Sequence, residues 1–208
     1  MTNPSEIIRV ALIDNEPIVR EGIRSILKPH PTIVIVGEFN SIAQALTELP
    51  SLQADLALVA YNSQRVKTQN FQWHLLGLPT LVFIPDPSKA IVLTLHSSDV
   101  NGLLPQQSAV SDYVEAIKTV FSGTRYLSPD VISFLNETKL PPLWPSLTNR
   151  ERHYFCLVTS GLPPDDIAAS MNVSTFATRH YRRTVYKKLG ISDMAGLTTL
   201  ALKFGIAE

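Results

Sequence analysis

The sequence predicts a doubly wound α/β domain on a five-stranded parallel sheet, followed by a separate all-α domain of four helices. Three observations carry this. Five short, nearly continuous apolar runs recur through the first half of the 208-residue chain, and helix-compatible stretches separate them. Strands of that kind belong to a parallel sheet covered on both faces. A proline-rich stretch, TKLPPLWPS, then occupies 138–146. Beyond it no strand pattern returns.

Taken in order, the expected strands are IRVALI (8–13), IVIVGEF (33–39), DLALVA (55–60), TLVFI (80–84) and NGLL (101–104). The intervening helices are expected over 16–28, 41–49, 86–96 and 109–123. The third strand ends in Ala60 and runs into a polar, helix-poor segment, NSQRVKTQN. In open α/β domains chemistry sits beyond the carboxyl ends of such strands, so an alanine there needs an explanation. Ser128 as N-cap and Pro129 at the first helical position start a short helix in LSPDVISFLNE. Three prolines in nine residues exclude regular structure over 138–146, which reads as the linker. Helical segments follow over 148–160, 164–171, 175–189 and 193–204.

With 45% hydrophobic and 17% charged residues the chain is globular. No apolar run approaches the roughly 20 residues that span a bilayer, and MTNPSEIIRV lacks an export pattern. The single Cys156 excludes an internal disulfide and fits a reducing, cytoplasmic setting. A net charge of zero hides an asymmetry: residues 146–208 carry eight bases against five acids, and five of those bases fall between 179 and 188.

That basic region has a definite layout. Thr148 with Glu151 forms a capping box, Gly161 supplies a left-handed C-cap, and a short helix carries Ile167, Ala168 and Met171 on one side. Asn172-Val173 makes a tight turn, and Ser174 or Thr175 caps a longer helix. In that helix Thr178, Tyr181, Val185 and Leu189 make a buried stripe, while Arg179, His180, Arg183 and Lys187 lie opposite. A short helix, a tight turn and a second helix with a basic face is the layout of a helix-turn-helix, whose second helix enters the major groove of double-stranded DNA. Arg179, His180 and Arg183 are expected to face base edges, and Lys187, Lys188 and Thr175 to hold phosphates. The plainer alternative is a small helical bundle with a solvated basic face.

Segment 147–191 closely resembles the LuxR-type helix-turn-helix of NarL/FixJ response regulators. The matching residues are Leu147-Thr148, Arg150-Glu151-Arg152, Gly161, Ile167-Ala168, Val173-Ser174, Arg182 and Lys188-Leu189-Gly190-Ile191. Departures are Pro163-Pro164-Asp165-Asp166 where the family has a hydroxyl cap, a base and Glu, together with Thr178 and Tyr181. Two carboxylates would there face the phosphate backbone and weaken affinity.

The resemblance implies a receiver domain upstream, flavodoxin-like in fold, and residues 1–125 are similar to one in order and spacing. A working receiver holds Mg²⁺ on an acidic pair after the first strand and takes a phosphoryl group on an Asp ending the third. A hydroxyl and a lysine then meet the transferred oxygens. The corresponding positions here are Asp14 with Asn15, Ala60, Ile84 and Gln106, and Leu103 stands at the aromatic switch position. A methyl group accepts no phosphate. Four agreeing departures at separate strand ends imply a pseudo-receiver that has lost its phosphorylation chemistry, which answers why Ala60 ends the third strand.

No metal-ligand spacing links His74, His96, His153 and His180. Ser63 and Ser160 lack a local base, and Trp73 and Trp144 read as packing residues, the second docking the linker. The expected organisation is a pseudo-receiver at 1–125, a short helix and linker at 126–146, and a DNA-binding domain at 147–208. The expected function is a bacterial, cytoplasmic, phosphorylation-independent transcription regulator. A homodimer is expected, without cofactor or enzymatic activity. The alternative is an adaptor whose pseudo-receiver binds an unidentified protein or small ligand, with vestigial DNA binding.

Overall fold

The computed structural model describes residues 7–61, 73–85, 87–137 and 140–206. The polar segment after Ala60, Ser63 and the N-terminal residues read for an export pattern lie outside these, as does the Trp73 side chain.

The apolar runs form parallel strands β1 (Ile8–Ile13), β2 (Ile33–Phe39), β3 (Leu56–Ala60), β4 (Thr80–Ile84) and β5 (Gly102–Pro105). A sixth strand, β6 (Tyr126–Leu127), pairs parallel with β5, so the sheet has six strands in the order β2-β1-β3-β4-β5-β6, not five. Its two residues are too few to show a period, which is why the pattern missed it. The helices among the strands are α1 (Pro17–Leu27), α2 (Ile42–Glu48), α3 (Lys89–Ser97) and α4 (Val110–Phe121). After β6 come α5 (Pro129–Glu137), α6 (Asn149–Thr159), α7 (Pro164–Ser170), α8 (Thr175–Leu189) and α9 (Met194–Lys203).

Side chains alternate across each strand and fill both faces. Val10, Leu12, Leu56 and Leu58 pack with Ile23 and Leu27 of α1 and Tyr113 and Ile117 of α4. Ala11, Ile13, Ala57 and Val59 point the other way, to Ile42 and Ala45 of α2.

By contact the described residues fall into two compact units. One holds 7–61, 73–85 and 100–131; the other holds 87–99, 132–137 and 140–206. Within the second unit α3 packs against α6, which explains why α6 buries Glu151 and the whole run His153–Leu157 rather than one stripe. Proline does not keep the linker irregular throughout: Trp144–Ser146 is a 3₁₀ turn. The Trp144 ring is buried edge-on against Phe155, centroids 5.3 Å apart, with the Arg152 guanidinium 6.0 Å above it. Among the described residues no helix is long and apolar enough to cross a membrane.

Candidate nucleic-acid interface and the altered strand-end pocket

The interface is built from α7, its turn and α8. The Thr148 hydroxyl accepts from the Glu151 amide at 3.3 Å, while the Glu151 carboxylate accepts from the Thr148 amide at 2.7 Å, closing the expected capping box of α6. Gly161 then turns the chain in the left-handed region, at φ 76°. Pro164 stands in the first turn of α7, where a missing N–H costs nothing. Asn172, at φ 51°, makes the tight turn; asparagine is among the few residues that tolerate that region. Ser174, rather than Thr175, caps α8 by accepting from the Ala177 amide at 3.2 Å. Gly190, at φ 67°, ends it.

On α8, Thr178, Val185 and Leu189 are buried. Tyr181 is half-buried and stacked on Tyr154 at 6.1 Å. Arg179, His180, Arg183 and Lys187 are exposed together on the other side, as their spacing requires. Their stripe begins one turn earlier than expected, at Phe176, which is 78% exposed. The i, i+3 step from Phe176 to Arg179 could have revealed it.

Two expected phosphate-holding residues have other partners. The Thr175 hydroxyl donates to the Asp165 carboxylate at 3.0 Å. Lys188 turns inward: its ammonium donates to Glu151 at 2.7 Å and to the Ser146 carbonyl at 3.0 Å. Burial alone would raise the Glu151 carboxyl. The hydrogen bonds from Lys188 and Thr148 and the lysine's charge outweigh burial and hold it below its ordinary value. The partners are 37 residues apart, so no local spacing could have paired them. Lys187, one residue away, stays exposed near the helix C-terminus, where a cation also complements the dipole.

The receiver-like positions converge at one end of the sheet. β1 pairs Ile13 with Val59, β3 pairs Ala60 with Phe83, and β4 pairs Ile84 with Pro105. Asp14, Ala60, Ile84 and Gln106 therefore all sit at the carboxyl ends of neighbouring strands. Ile84 is fully buried, and Ala60 and Asn15 are half-buried. Asp14 is buried too; its carboxylate accepts from the Glu16 amide at 2.7 Å, and its carbonyl accepts from Arg20 at 2.7 Å. Burial raises the Asp14 carboxyl above its ordinary range, with the Glu16 amide hydrogen bond opposing and the Glu16 charge assisting. Tyr113 donates to the Gln106 carbonyl at 2.9 Å, and burial, then the Asp14 charge, push its phenol strongly upward. These strand ends thus bring an alanine, an isoleucine and a glutamine beside one buried carboxylate, whose charge burial disfavours more than the Glu16 amide and Arg20 offset. Among the described residues no three His, Cys, Asp or Glu side chains cluster as metal ligands would.

Comparison with known proteins bears on both regions. Residues 145–201 match the GerE family, described as bacterial regulatory proteins of the luxR family. The transcriptional regulatory protein UhpA of Salmonella typhimurium is 29% identical over 187 residues, 89% of this chain and 93% of that protein. The response regulator UvrY of Escherichia coli is 27% identical over 219 residues, covering 97% of this chain and 96% of UvrY. A structure of the Salmonella typhimurium RcsB response regulator, described as showing conformational dynamism for DNA interaction, covers 95% of this chain and 99% of its own. It superposes with a TM-score of 0.60 at 21% identity, a likeness of fold. Residues 145–201 are therefore a LuxR-family regulatory domain, on a chain homologous over nearly its whole length to response regulators such as UhpA and UvrY.

Proposed function

We propose that this protein is a sequence-specific, double-stranded-DNA-binding transcription regulator that acts without aspartyl phosphorylation. One observation carries the DNA reading: on α8 the cations of Arg179, Arg183 and Lys187 and the imidazole of His180 are exposed together while the opposite stripe is buried. Guanidinium groups on the first and middle turns of such a helix reach base edges in the major groove, and the lysine beyond them meets phosphate. Lys188 and Thr175, read from the sequence as phosphate-holding, are hydrogen-bonded to Glu151 and Asp165 in the free protein. In this reading 1–125 is a pseudo-receiver, 126–146 a connecting segment and 147–208 the DNA-binding domain, at work in a bacterial cytoplasm.

The phosphorylation-independent part rests on chemistry. A phosphoryl acceptor needs an oxygen nucleophile, and its charge needs neutralising. Ala60 supplies no oxygen, Ile84 no hydroxyl and Gln106 no cation. Incubation with acetyl phosphate and Mg²⁺ should add no mass to the protein, and a stable phosphoryl adduct within 1–125 would overturn this part. Ala60→Asp alone should not restore switching.

The regulator works as a homodimer on an inverted repeat, because one small module reads few bases. A related structure is described as two RcsB dimers bound to two parallel DNAs. Leu202 on α9 is 55% exposed and offers apolar surface to a partner copy, while Leu197 is core. Sedimentation as a monomer, free and on DNA, would reject the dimer.

A second reading is favoured by one observation. Asp165 and Asp166 stand in the first turn of α7, and Asp165 holds the Thr175 hydroxyl proton that a phosphate would otherwise receive. An adaptor whose pseudo-receiver binds a protein or small ligand, with vestigial DNA binding, would have such acids. Selection from random duplex DNA at moderate salt separates the two: enrichment of one motif supports the regulator, and no enrichment supports the adaptor.

A further inference from the structure

We propose that Phe176 is a specificity-determining residue of the reading helix, docking its ring on a pyrimidine C5-methyl in the major groove, which in unmodified DNA is the thymine methyl. The inference rests on the assignment of α8 as the DNA-reading helix and adds to it a residue and a base chemistry.

Placement comes first. Phe176 lies in the first turn of α8, after the Ser174 cap, and the N-terminal residues of a recognition helix are those that reach base edges. Arg179, His180, Arg183 and Lys187 stand three, four, seven and eleven residues further on, so the ring leads the same helical face as the cations. The opposite face, with Thr178, Val185 and Leu189, fills the core, so the ring cannot reach the core without rotating the helix.

Cost comes second. Phenylalanine is ordinarily well buried, yet here the side chain is 78% exposed in the free protein. Exposure alone would carry nothing: Ile18 on α1 is equally exposed. The residues three, four and seven positions after Ile18 are Glu21, Gly22 and Ser25, a face with no attraction for a polyanion. Phe176 instead opens a run of exposed cations. Those charges draw a duplex onto this face, and the apolar group presented by a major groove is the thymine methyl. Adenine, guanine and cytosine carry no methyl there, so a phenyl ring gains less apolar contact and covers their donors and acceptors without pairing them. The preference is therefore for thymine over the other bases at the position it meets.

The test uses the full chain and duplex selected by it from a random library. Each thymine of the selected half-site is replaced singly by deoxyuridine, which removes the methyl and nothing else. For the wild type, one replacement should weaken binding about fourfold, the value of one buried methyl group, and the others should change little. Phe176→Ala should bind the thymine duplex more weakly by at least that factor and be indifferent to the replacement. Phe176→Leu, which keeps an apolar tip, should retain part of the discrimination. The proposal is overturned if Phe176→Ala selects the same motif with unchanged affinity, or if deoxyuridine costs both proteins equally; either leaves the reading helix standing. A wild-type chain that enriches no sequence overturns the reading itself, and this inference with it.

Discussion

Among the described residues, each of the two structural units buries one carboxylate, and they treat it in opposite ways. Asp14, at the strand-end pocket, is raised by burial, has the acid Glu16 nearby, and receives one backbone hydrogen bond. Glu151, at the corner of α6 and α8, is as secluded but is held below its ordinary value by Lys188 and Thr148. The difference lies in what each fold supplies to offset the burial of a charge. At the corner the Glu151 carboxylate accepts from both Lys188 and Thr148, and the Lys188 ammonium also reaches the Ser146 carbonyl, which ties α8 to the start of α6. At the strand ends Gln106 and Ile84 stand where the proposed reading looks for a cation and a hydroxyl, and Asp14 is left with burial raising its carboxyl.

If the corner is a fitted structure, removing its packing should have the largest effect. Trp144→Ala should cost about 3–5 kcal/mol, the range for a buried aromatic, because the ring fills the space between Phe155 and Arg152. Urea unfolding measures it. A loss under 1 kcal/mol would mean that residues 140–146 are a tether and not part of the fold.

Lys188→Met comes next. It leaves Glu151 without a counterion, and breaking a buried pair from one side costs several kcal/mol; Lys188 is about a third exposed, so about 2–3 kcal/mol is expected. The pH dependence has a definite sign. Glu151 is depressed, so its contribution is present above pH 4.5 and is lost as pH falls through the lower folded value. The variant's deficit should therefore shrink in acid. Unchanged stability combined with weaker DNA binding would return Lys188 to the phosphate-holding role read from the sequence.

Much of this was legible beforehand, for physical reasons. Helix boundaries in the second unit were read from caps: the Thr148–Glu151 box and Gly161 stand where the pattern put them, and of the two caps offered for α8 the structure uses Ser174. Such signals are local, so a linear sequence carries them fully. The strand-end positions were legible from order and spacing, since each lies at the end of an apolar run. What was not legible is what the third dimension pairs: Lys188 with Glu151 and Thr175 with Asp165. Helical periodicity puts Lys188 three residues after Val185, on the flank of the buried stripe, but only the packed neighbour decides which group it meets there. The grouping of α3 with α6 and the two-residue β6 were hidden for the same reason, being set by partners remote in sequence.

The two adjacent lysines sharpen the comparison on the DNA side. Lys187→Ala should leave unfolding unchanged, weaken binding to all duplexes alike and flatten the slope of log affinity against log salt by about one. Arg179→Ala should cost about 1–3 kcal/mol of discrimination at one base position. Equal effects of Arg179→Ala on selected and random duplex would remove the base-reading assignment and leave a phosphate contact.

The smallest effect belongs to the pocket, and its sign is the test. Asp14→Asn keeps an oxygen that can accept from the Glu16 amide, so the turn into α1 survives. It removes a charge that burial penalises. Because the folded Asp14 carboxyl is raised, the wild type is favoured in acid, below the unfolded value of 3.8, and loses that advantage as pH rises through the folded value. The variant should match the wild type near pH 3 and exceed it at pH 7, by on the order of 0.5–1 kcal/mol. Thermal melting at the two pH values reads the difference directly. A variant less stable at pH 7 would mean that the Asp14 charge is itself in use. The pocket would then still hold a cation, and its contrast with the corner would collapse.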